Sequence, residues 1–250
     1  MKKTLLIAGM FCLAFITAAQ SVDEIINQYL ENTGGASKWA QLKGLRYQGK
    51  VNVQGMDLPV EMAQLKSGKM YMKFELQGTE VVQQAFDGNV AWGTNFMIMK
   101  AEKSDHETTE NMKREMQDFP DPFLDYKNKG YKAELLGKES VEGTECYKIR
   151  LTKKPLLADG KEVDNVIFYY FDTDNMVPIM SEQEIKSGPA KGMVSQSLFS
   201  DYQEVNGLYF PFSLTQKAKG QPMGQTINFT KIELNPTIDD SAFAFKDSDN

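Results

Sequence analysis

Side chains suited to catalysis are scarce in this sequence. His106 is the single histidine, and it lies in the charged segment SDHETTE. A Ser-His-Asp or Cys-His site would have to use it as the general base, whereas a solvated helix position is the simpler interpretation. A zinc site needs clustered ligands, which His106 and Cys146 cannot supply. We therefore predict no catalytic residue, no metal site and no cofactor.

Two other motifs have simple structural interpretations. Asp172, Asp174 and Asn175 in DTDN resemble the start of a calcium loop, but the glycine and closing glutamate are missing, so a hairpin turn is favoured. Cys146 in ECYKIRLT faces away from the apolar residues of its predicted strand, which indicates an inert thiol. The 34 Asp and Glu residues always offer some carboxylate pair, so glycoside chemistry stays an open alternative.

Methionine is the residue type that stands out. The chain contains 14 methionines. Seven lie between the second predicted strand and a predicted helix: Met62, Met70, Met72, Met97, Met99, Met112 and Met116. The flexible, polarizable thioether suits surfaces that accept ligands of varied shape. Core packing is the favoured explanation for any single methionine, but the cluster makes an apolar binding surface an equal alternative.

The start of the chain predicts export. Residues 1–19 combine a positively charged beginning, an apolar run and small residues at the end, which is the layout of a secretory signal. The run is shorter than the ~20 residues of a transmembrane helix. We expect cleavage near Ala19 and one soluble domain over residues 20–250. Without Lys2 and Lys3 the formal net charge changes from -6 to -8, which disfavours a nucleic-acid partner.

The hydrophobic period changes from helix to strand at Leu45. Apolar residues in VDEIINQYLEN recur at helical spacing and stop before Gly34-Gly35, which predicts an amphipathic helix. From Leu45 onward apolar and polar residues alternate, and glycine-containing turns recur about every ten residues. The pattern predicts a mainly β fold of about 11–12 antiparallel strands, a number that favours a strongly curved sheet or barrel.

One helix interrupts the predicted strands. Ser104 and Glu107 have capping-box spacing, and Met112, Met116 and Phe119 follow on one helical stripe. The spacing predicts a short helix over residues 105–118 that ends before the prolines of FPDP. We expect it to lie across the mouth of the sheet as a lid.

The order of five segments resembles a known family. The segments are VDEIINQYLENTGGASKWAQLKGLRYQGKV, FDGNVAW, FPDPFLDYKNKGYKAELLGKESVEGTECYKIRLT, FSDYQEVNGLYFPFSL and IELNPTIDDSAF. Together they span nearly the whole predicted mature chain. In this order they resemble the LolA-like periplasmic lipoprotein carriers, in the branch described as outer-membrane lipoprotein-sorting proteins.

The resemblance implies a half-open β-barrel plugged by helices, with an apolar cavity for the acyl chains of lipoproteins. It also implies a periplasmic location, with an inner-membrane donor and an outer-membrane acceptor as candidate partners. Asp87, Gly88, Trp92 and Asn95 coincide with matching residues of the carriers, which makes Trp92 the best cavity candidate. At residues 66–68 this chain has Lys-Ser-Gly where the carriers have Lys-Arg-Pro, so an arginine associated with hand-off is missing.

We therefore expect a non-enzymatic carrier of an acylated lipoprotein or another lipophilic ligand. The candidate ligand-binding residues are Met70, Met72, Phe74, Leu76, Trp92, Phe96, Met97, Met99, Met112, Met116 and Phe119. A protein-binding module of the same fold, acting in envelope-stress regulation through its surface, is the alternative. An enzyme acting on surface glycans or lipids is the third hypothesis.

Overall fold

Fifteen β-strands and three α-helices are present in residues 20–53 and 55–246, the part of the chain that the computed structural model describes. The helices are α1 (Val22–Asn32), α2 (Ala36–Ala40) and α3 (His106–Glu115), and short 3-10 helices lie at Met116–Asp118 and Asp240–Ala242. The predicted signal segment, residues 1–19, lies outside the described residues.

Thirteen of these strands form one antiparallel sheet. The strands are β1 (Gly44–Val53), β2 (Met56–Leu65), β3 (Met70–Leu76), β4 (Thr79–Phe86), β5 (Ala91–Asn95), β6 (Lys100–Lys103), β7 (Lys132–Val141), β8 (Thr144–Thr152), β9 (Leu156–Ala158), β10 (Lys161–Val163), β11 (Val166–Asp172), β12 (Pro178–Glu184), β13 (Val194–Val205), β14 (Leu208–Ala218) and β15 (Gln225–Leu234). Across the sheet the order is β6-β5-β4-β3-β2-β1-β15-β14-β13-β12-β11-β8-β7, and β9 pairs with β10 in a separate hairpin. Because β6 and β7 do not pair with each other, the sheet stays open, as the predicted half-open barrel requires.

The differences from the predicted strands are local. The apolar run over 90–99 does not form one long strand: it forms the short strand β5 and the turn at 96–99 that leads to β6. The hairpin of β9 and β10 and the short helix α2 were not predicted, because none of them carries a hydrophobic period long enough to detect.

The turns of this sheet fall at two opposite ends. Since neighbouring strands are antiparallel, the turns at Gly55, 77–78, 96–99, 185–193 and 219–224 lie at one end, which we call the rim. The turns at 66–69, 87–90, 173–177 and 206–207 lie at the other end. Helices α1 and α2 cap that second end, where Tyr209 N donates to Thr33 O at 3.0 Å and Lys66 Nζ to Ala40 O at 3.2 Å.

The helices pack on one face of the sheet, which we call the inner face. Residues of α1 and of the segment 119–131 share a buried apolar cluster with inner-face side chains of β1, β8, β11, β14 and β15. Phe123 is 1% exposed and makes edge-on ring contacts with Tyr29, Tyr169 and Phe171 at centroid distances of 6.2, 4.8 and 5.3 Å. The main core is therefore built between the sheet and the elements that fill it.

The opposite, outer face carries two smaller apolar clusters. In one, the chain after β15 folds back, and Phe243 packs on Tyr71, Ala85 and Trp92. In the other, Cys146 packs with Val141, Tyr170 and Met180. Both faces of several strands are thus partly buried.

No helix in the described ranges is long and apolar enough to cross a membrane.

Helix α1 starts and ends on specific hydrogen bonds. Ser21 and Glu24 form a complete capping box at its start, with Ser21 Oγ accepting from Glu24 N at 3.2 Å and Glu24 Oε2 from Ser21 N at 2.7 Å. At its end the buried Thr33 hydroxyl donates to Tyr29 O at 2.8 Å and accepts from Trp39 Nε1 at 3.1 Å. Thr33 therefore joins α1 to α2 inside the core.

Replacing Thr33 with valine should destabilise the fold. The change Thr33→Val keeps the side-chain shape but leaves the buried Trp39 N–H without an acceptor, and we expect a loss of about 1–3 kcal/mol in the free energy of unfolding, measured by urea denaturation. Adding Trp39→Phe removes the stranded donor, so the two changes should be less than additive. A loss below about 0.5 kcal/mol for Thr33→Val would contradict this account.

Candidate ligand-binding site

The predicted lid helix is present and lies on the inner face. It begins one residue later than the capping-box spacing predicted: Asp105, not Ser104, is the N-cap, and its Oδ1 accepts from Thr108 N at 2.7 Å. The helical region ends with the 3-10 helix Met116–Asp118, so residues 105–118 are close to the observed limits. An aspartate at the cap also places negative charge at the positive end of the helix dipole.

The methionines of α3 are packed against the sheet. Met112 is 4% exposed and lies in a cluster with Phe86 and Ala91, and half-buried Met70 and Met116 complete it. The pairing of Met70 with Phe86, and of Phe86 with Ala91, puts these strand residues in one row of the inner face. The structure thus brings Met70, Met112 and Met116 together as a filled contact.

The separate hairpin holds α3 from its other side. Asn111 Nδ2 donates to Leu157 O, and Leu157 N donates to Asn111 Oδ1, both at 2.7 Å. Arg114 donates to Pro155 O, and Gly160 N donates to Glu107 Oε2 at 3.0 Å. Since the hairpin follows β8, near one edge of the sheet, and α3 lies on strands near the other edge, the pair of elements bridges the opening.

Closer to the rim the inner face carries apolar side chains that are only half-buried. We call the half-buried Leu58, Met62, Met72 and Phe74, together with the exposed Phe96 that stacks on Phe74, the rim patch. The cluster around it contains strand residues alone, from β1, β2, β3 and β15. Leu76 lies on the same face of β3, one step nearer the rim, and is half-buried as well.

The turn at 96–99 extends this patch into solvent. The ring of Phe96 stacks on that of Phe74 with a centroid distance of 6.1 Å and an interplanar angle of 10°. Met97 is 93% exposed, and Ile98 and Met99 are about half exposed. Other exposed methionines occur at or beside further turns of the same end: Met56, Met193 and Met223. The rim is therefore apolar on several of its turns.

Trp92, which the resemblance made the best cavity candidate, does not lie with the other candidates, so the expectation that it lines the cavity is wrong. Its strand neighbour Ala91 faces α3, so alternation turns Trp92 to the outer face. There the indole Nε1 donates to Phe243 O at 2.8 Å under the folded-back C-terminal segment.

Phe119 lies apart from the rim patch as well. It contacts the main core and lines a groove of about 790 Å³ between α1, α2 and the segment 119–129. The groove has a charged margin that includes Asp23, Lys66 and Lys127. Its position at the helix-capped end separates it from Met72 and Phe74.

Cys146 faces away from Tyr147, Ile149 and Leu151 of its strand, as predicted. It is fully buried on the outer face, and burial raises its pKa to about 11. A thiol of that pKa carries almost no thiolate at neutral pH, so it is a poor nucleophile.

Sequence reasoning missed one polar feature of the inner face. Asp121 lies between the two prolines of the segment FPDPF and lines a cavity of about 210 Å³ together with aromatic side chains. Its Oδ2 accepts from the Tyr29 hydroxyl at 2.7 Å, and its Oδ1 accepts from Phe123 N at 2.8 Å. Burial is the largest effect on this carboxyl and raises its pKa. The sequence signal that could have indicated this site is the segment FPDPF, in which one acidic residue stands between prolines and aromatic residues.

The position of Trp92 can be tested by fluorescence. Trp39→Phe leaves Trp92 as the only tryptophan, and in that background Phe243→Ala should shift the emission to the red and lower stability by about 3–5 kcal/mol, since it opens a cavity over the indole. Met223→Ala, at an exposed turn, is the control and should change neither quantity. An unshifted emission in the Phe243→Ala protein would place Trp92 elsewhere.

The raised pKa of Asp121 predicts a pH effect on stability. Between the ordinary carboxyl pKa of about 3.9 and the raised value, the native state binds the proton that the unfolded chain has lost, so stability rises as pH falls through this window. The unfolding free energy of the wild type, relative to Asp121→Asn, should therefore increase from about pH 7 to about pH 4. Asp125→Asn, on the same segment but exposed, is the control. A difference that is constant with pH would contradict the argument.

Comparison with known proteins gives the fold. No curated protein matches the sequence. A family model with the description "-like: Uncharacterized protein" matches residues 123–246, just under half of the chain. The structure is similar to a LolA superfamily protein from Nitrosomonas europaea, with a TM-score of 0.54 and 10% identity, over 91% of this chain and 99% of that one. It is also similar to a DUF1329 family protein from Desulfovibrio piger, with a TM-score of 0.50 and 12% identity, over 90% and 98% of the two chains. The resemblance predicted from the sequence is thus confirmed at the level of architecture: this protein has the LolA-like fold.

Proposed function

We propose that this protein is a carrier that binds a lipophilic ligand, such as the acyl chains of a lipoprotein, on the inner face of its half-open sheet. The observation that carries the proposal is the rim patch, a group of apolar side chains that the helices leave half-buried or exposed. A soluble protein normally covers such a surface, and one that is left open is typical of a binding site.

The rim patch suits an apolar chain because of its shape and side chains. Met62 and Met72 are directly paired across β2 and β3, and Phe74 lies one step further along the same face. Thioethers adapt to the shape of a flexible chain. Each methylene moved from water onto this surface contributes about 0.8 kcal/mol, so a short stretch of acyl chain is enough for retention.

Helix α3 supplies the movable side of the site. Its apolar stripe of Met112 and Met116 already contacts the row next to the rim patch. The hairpin holds it by hydrogen bonds of partly exposed groups and by the ion pair between Arg114 and Glu162. Displacement of α3 would extend the rim patch by the row of Met70 and Phe86. The filled methionine contact is then the ligand-free form of a longer binding surface.

The carrier would work outside the cytoplasm. The predicted signal at residues 1–19, cleaved near Ala19, supports a periplasmic location, and the LolA-like fold supports transfer between an inner-membrane donor and an outer-membrane acceptor. Sorting of outer-membrane lipoproteins is one such role, although the hand-off arginine of the studied carriers is replaced within Lys66-Ser67-Gly68.

A protein-binding role is the second candidate, and one observation favours it. Phe96, Met97, Ile98 and Met99 project from the rim with large exposed fractions, and an apolar loop of this kind also suits a partner protein. In that case filling of the inner face would leave partner binding unchanged.

The carrier proposal is tested with a fluorescent acyl-chain probe. Met72→Asp places a charge in the rim patch, and we expect it to weaken probe binding by about tenfold or more, because a carboxylate in an apolar contact is strongly unfavourable. Leu136→Asp is the matched control: it replaces another half-exposed apolar side chain, on edge strand β7, and should leave binding unchanged.

Thermal unfolding of both variants separates loss of binding from loss of fold. Equal probe affinity of the wild type and Met72→Asp would remove the rim patch as the site. If neither the wild type nor the variants bind the probe, and a partner protein binds through residues 96–99, the protein-binding role is favoured.

A further inference from the structure

The aromatic cavity on the inner face is unlike the rest of the core. Among the described residues its lining contains nine aromatic side chains, four prolines and a single charged group, Asp121. Its volume of about 210 Å³ equals that of roughly seven waters, at about 30 Å³ each in the liquid. Space of this size with one charge is unusual for packing alone, since cores are normally filled.

Asp121 brings a carboxylate to this cavity, and the charge of Lys129 acts on it without forming an ion pair. Each carboxylate oxygen accepts one hydrogen bond, from the Tyr29 hydroxyl and from Phe123 N, and each has a free lone pair. In the described part of the chain no Lys or Arg forms an ion pair with this carboxylate. Lys129 lies nearest, but its Nζ donates to the carbonyl oxygen of Asp121 at 2.8 Å instead.

The aromatic rings around Asp121 add to the negative electrostatic potential of the cavity. Tyr47, Tyr169 and Tyr202 all line the cavity. Burial is the main reason why the pKa of each phenol is raised, and the charge of Asp121 raises it further. The face of an aromatic ring is itself negative, so the rings and the carboxylate attract a cation together. An anion would be repelled by both, and a neutral apolar group would gain only the aromatic part of this lining.

A second cleft adjoins the cavity at the surface. It has a volume of about 630 Å³ and shares Phe199, Tyr202 and Tyr209 with the cavity. Asp172, Asp174 and Asp201 line it, and no Lys or Arg of the described chain does. A passage with one sign of charge concentrates ligands of the opposite sign.

We infer that the aromatic cavity, reached through this acidic cleft, binds a small organic cation of the ammonium class. Aromatic walls around a carboxylate favour a quaternary or alkylated ammonium, whose charge is spread over apolar groups, above a strongly hydrated metal ion. The cation is either a free small molecule or the head group of an amphiphile. The site shares no residue with the rim patch, so the inference does not rest on the proposed function.

Isothermal titration with choline tests the inference. The comparison ligand is the uncharged isostere of choline, in which carbon replaces nitrogen. We expect the wild type to bind choline at least about tenfold more tightly than the isostere, and Asp121→Asn to lose this preference. Asp125→Asn should retain it. Equal binding of the two ligands by the wild type, or an unchanged preference in Asp121→Asn, would overturn the inference.

A second variant covers the case in which Asp121→Asn fails to fold. Tyr169→Leu keeps the carboxylate and removes one ring, and it should weaken choline more than it weakens ethanolamine, the corresponding primary ammonium. Equal losses for both ligands would contradict a role for the aromatic wall.

The source of the cation is distinguished with dodecyltrimethylammonium. If this ligand binds more tightly than choline, and both Asp121→Asn and Met72→Asp abolish its binding, the cation is the head group of an amphiphile that also uses the rim patch. Affinity equal to that of choline and unchanged by Met72→Asp indicates a free cation. If the wild type binds choline but does not bind the acyl-chain probe, the proposed function is rejected and the present inference is not.

Discussion

The contact between the inner face of the sheet and the elements that fill it is the interaction on which the rest of the structure depends. A sheet whose edge strands β6 and β7 do not pair cannot bury its inner face by closing on itself. Helix α1 and the segment 119–131 bury it instead, with Phe123 at the centre of an aromatic cluster. These elements stop short of the rim, and the two binding surfaces are the places where the filling is incomplete: the rim patch beyond the helices, and the cavity between Asp121 and the sheet.

Most of the fold could be predicted from the sequence because its signals are local. Alternation identified most of the strands, and turns such as Asn206-Gly207 fixed their ends. Reading a strand from period-two alternation assumes, however, that one face of the strand is exposed to solvent. In β3 both faces are covered at least in part: Tyr71 is buried on the outer face, and Met70 and Met72 are half-buried on the inner face. The C-terminal segment that covers Tyr71 carries no strand or helix pattern, so no local sequence signal predicted that Tyr71 would be buried.

The candidate site was predictable in part for the same reason. Met72, Phe74 and Leu76 lie on one face because strand geometry requires it, and the stripe of α3 follows from helix geometry. Trp92 was misplaced because its face depends on where the short strand β5 begins, which alternation over a longer apolar run cannot locate. Asp121 was missed because its surroundings come from α1, β1, β11 and β13, and only the tertiary fold brings these together.

The pairing of β1 with β15 has a consequence for how this chain folds. Val51 meets Ile227 at the centre of the sheet, so the seam between its two halves joins strands from nearly opposite ends of the sequence. Contacts of such high sequence separation form slowly, because the entropy of closing the chain must be overcome first. Until β15 arrives, one edge of β1 stays unpaired, and an open edge is a template for association with other chains. A chain synthesised from its N-terminus therefore has to keep its central strand from aggregating until nearly all of the protein has been made.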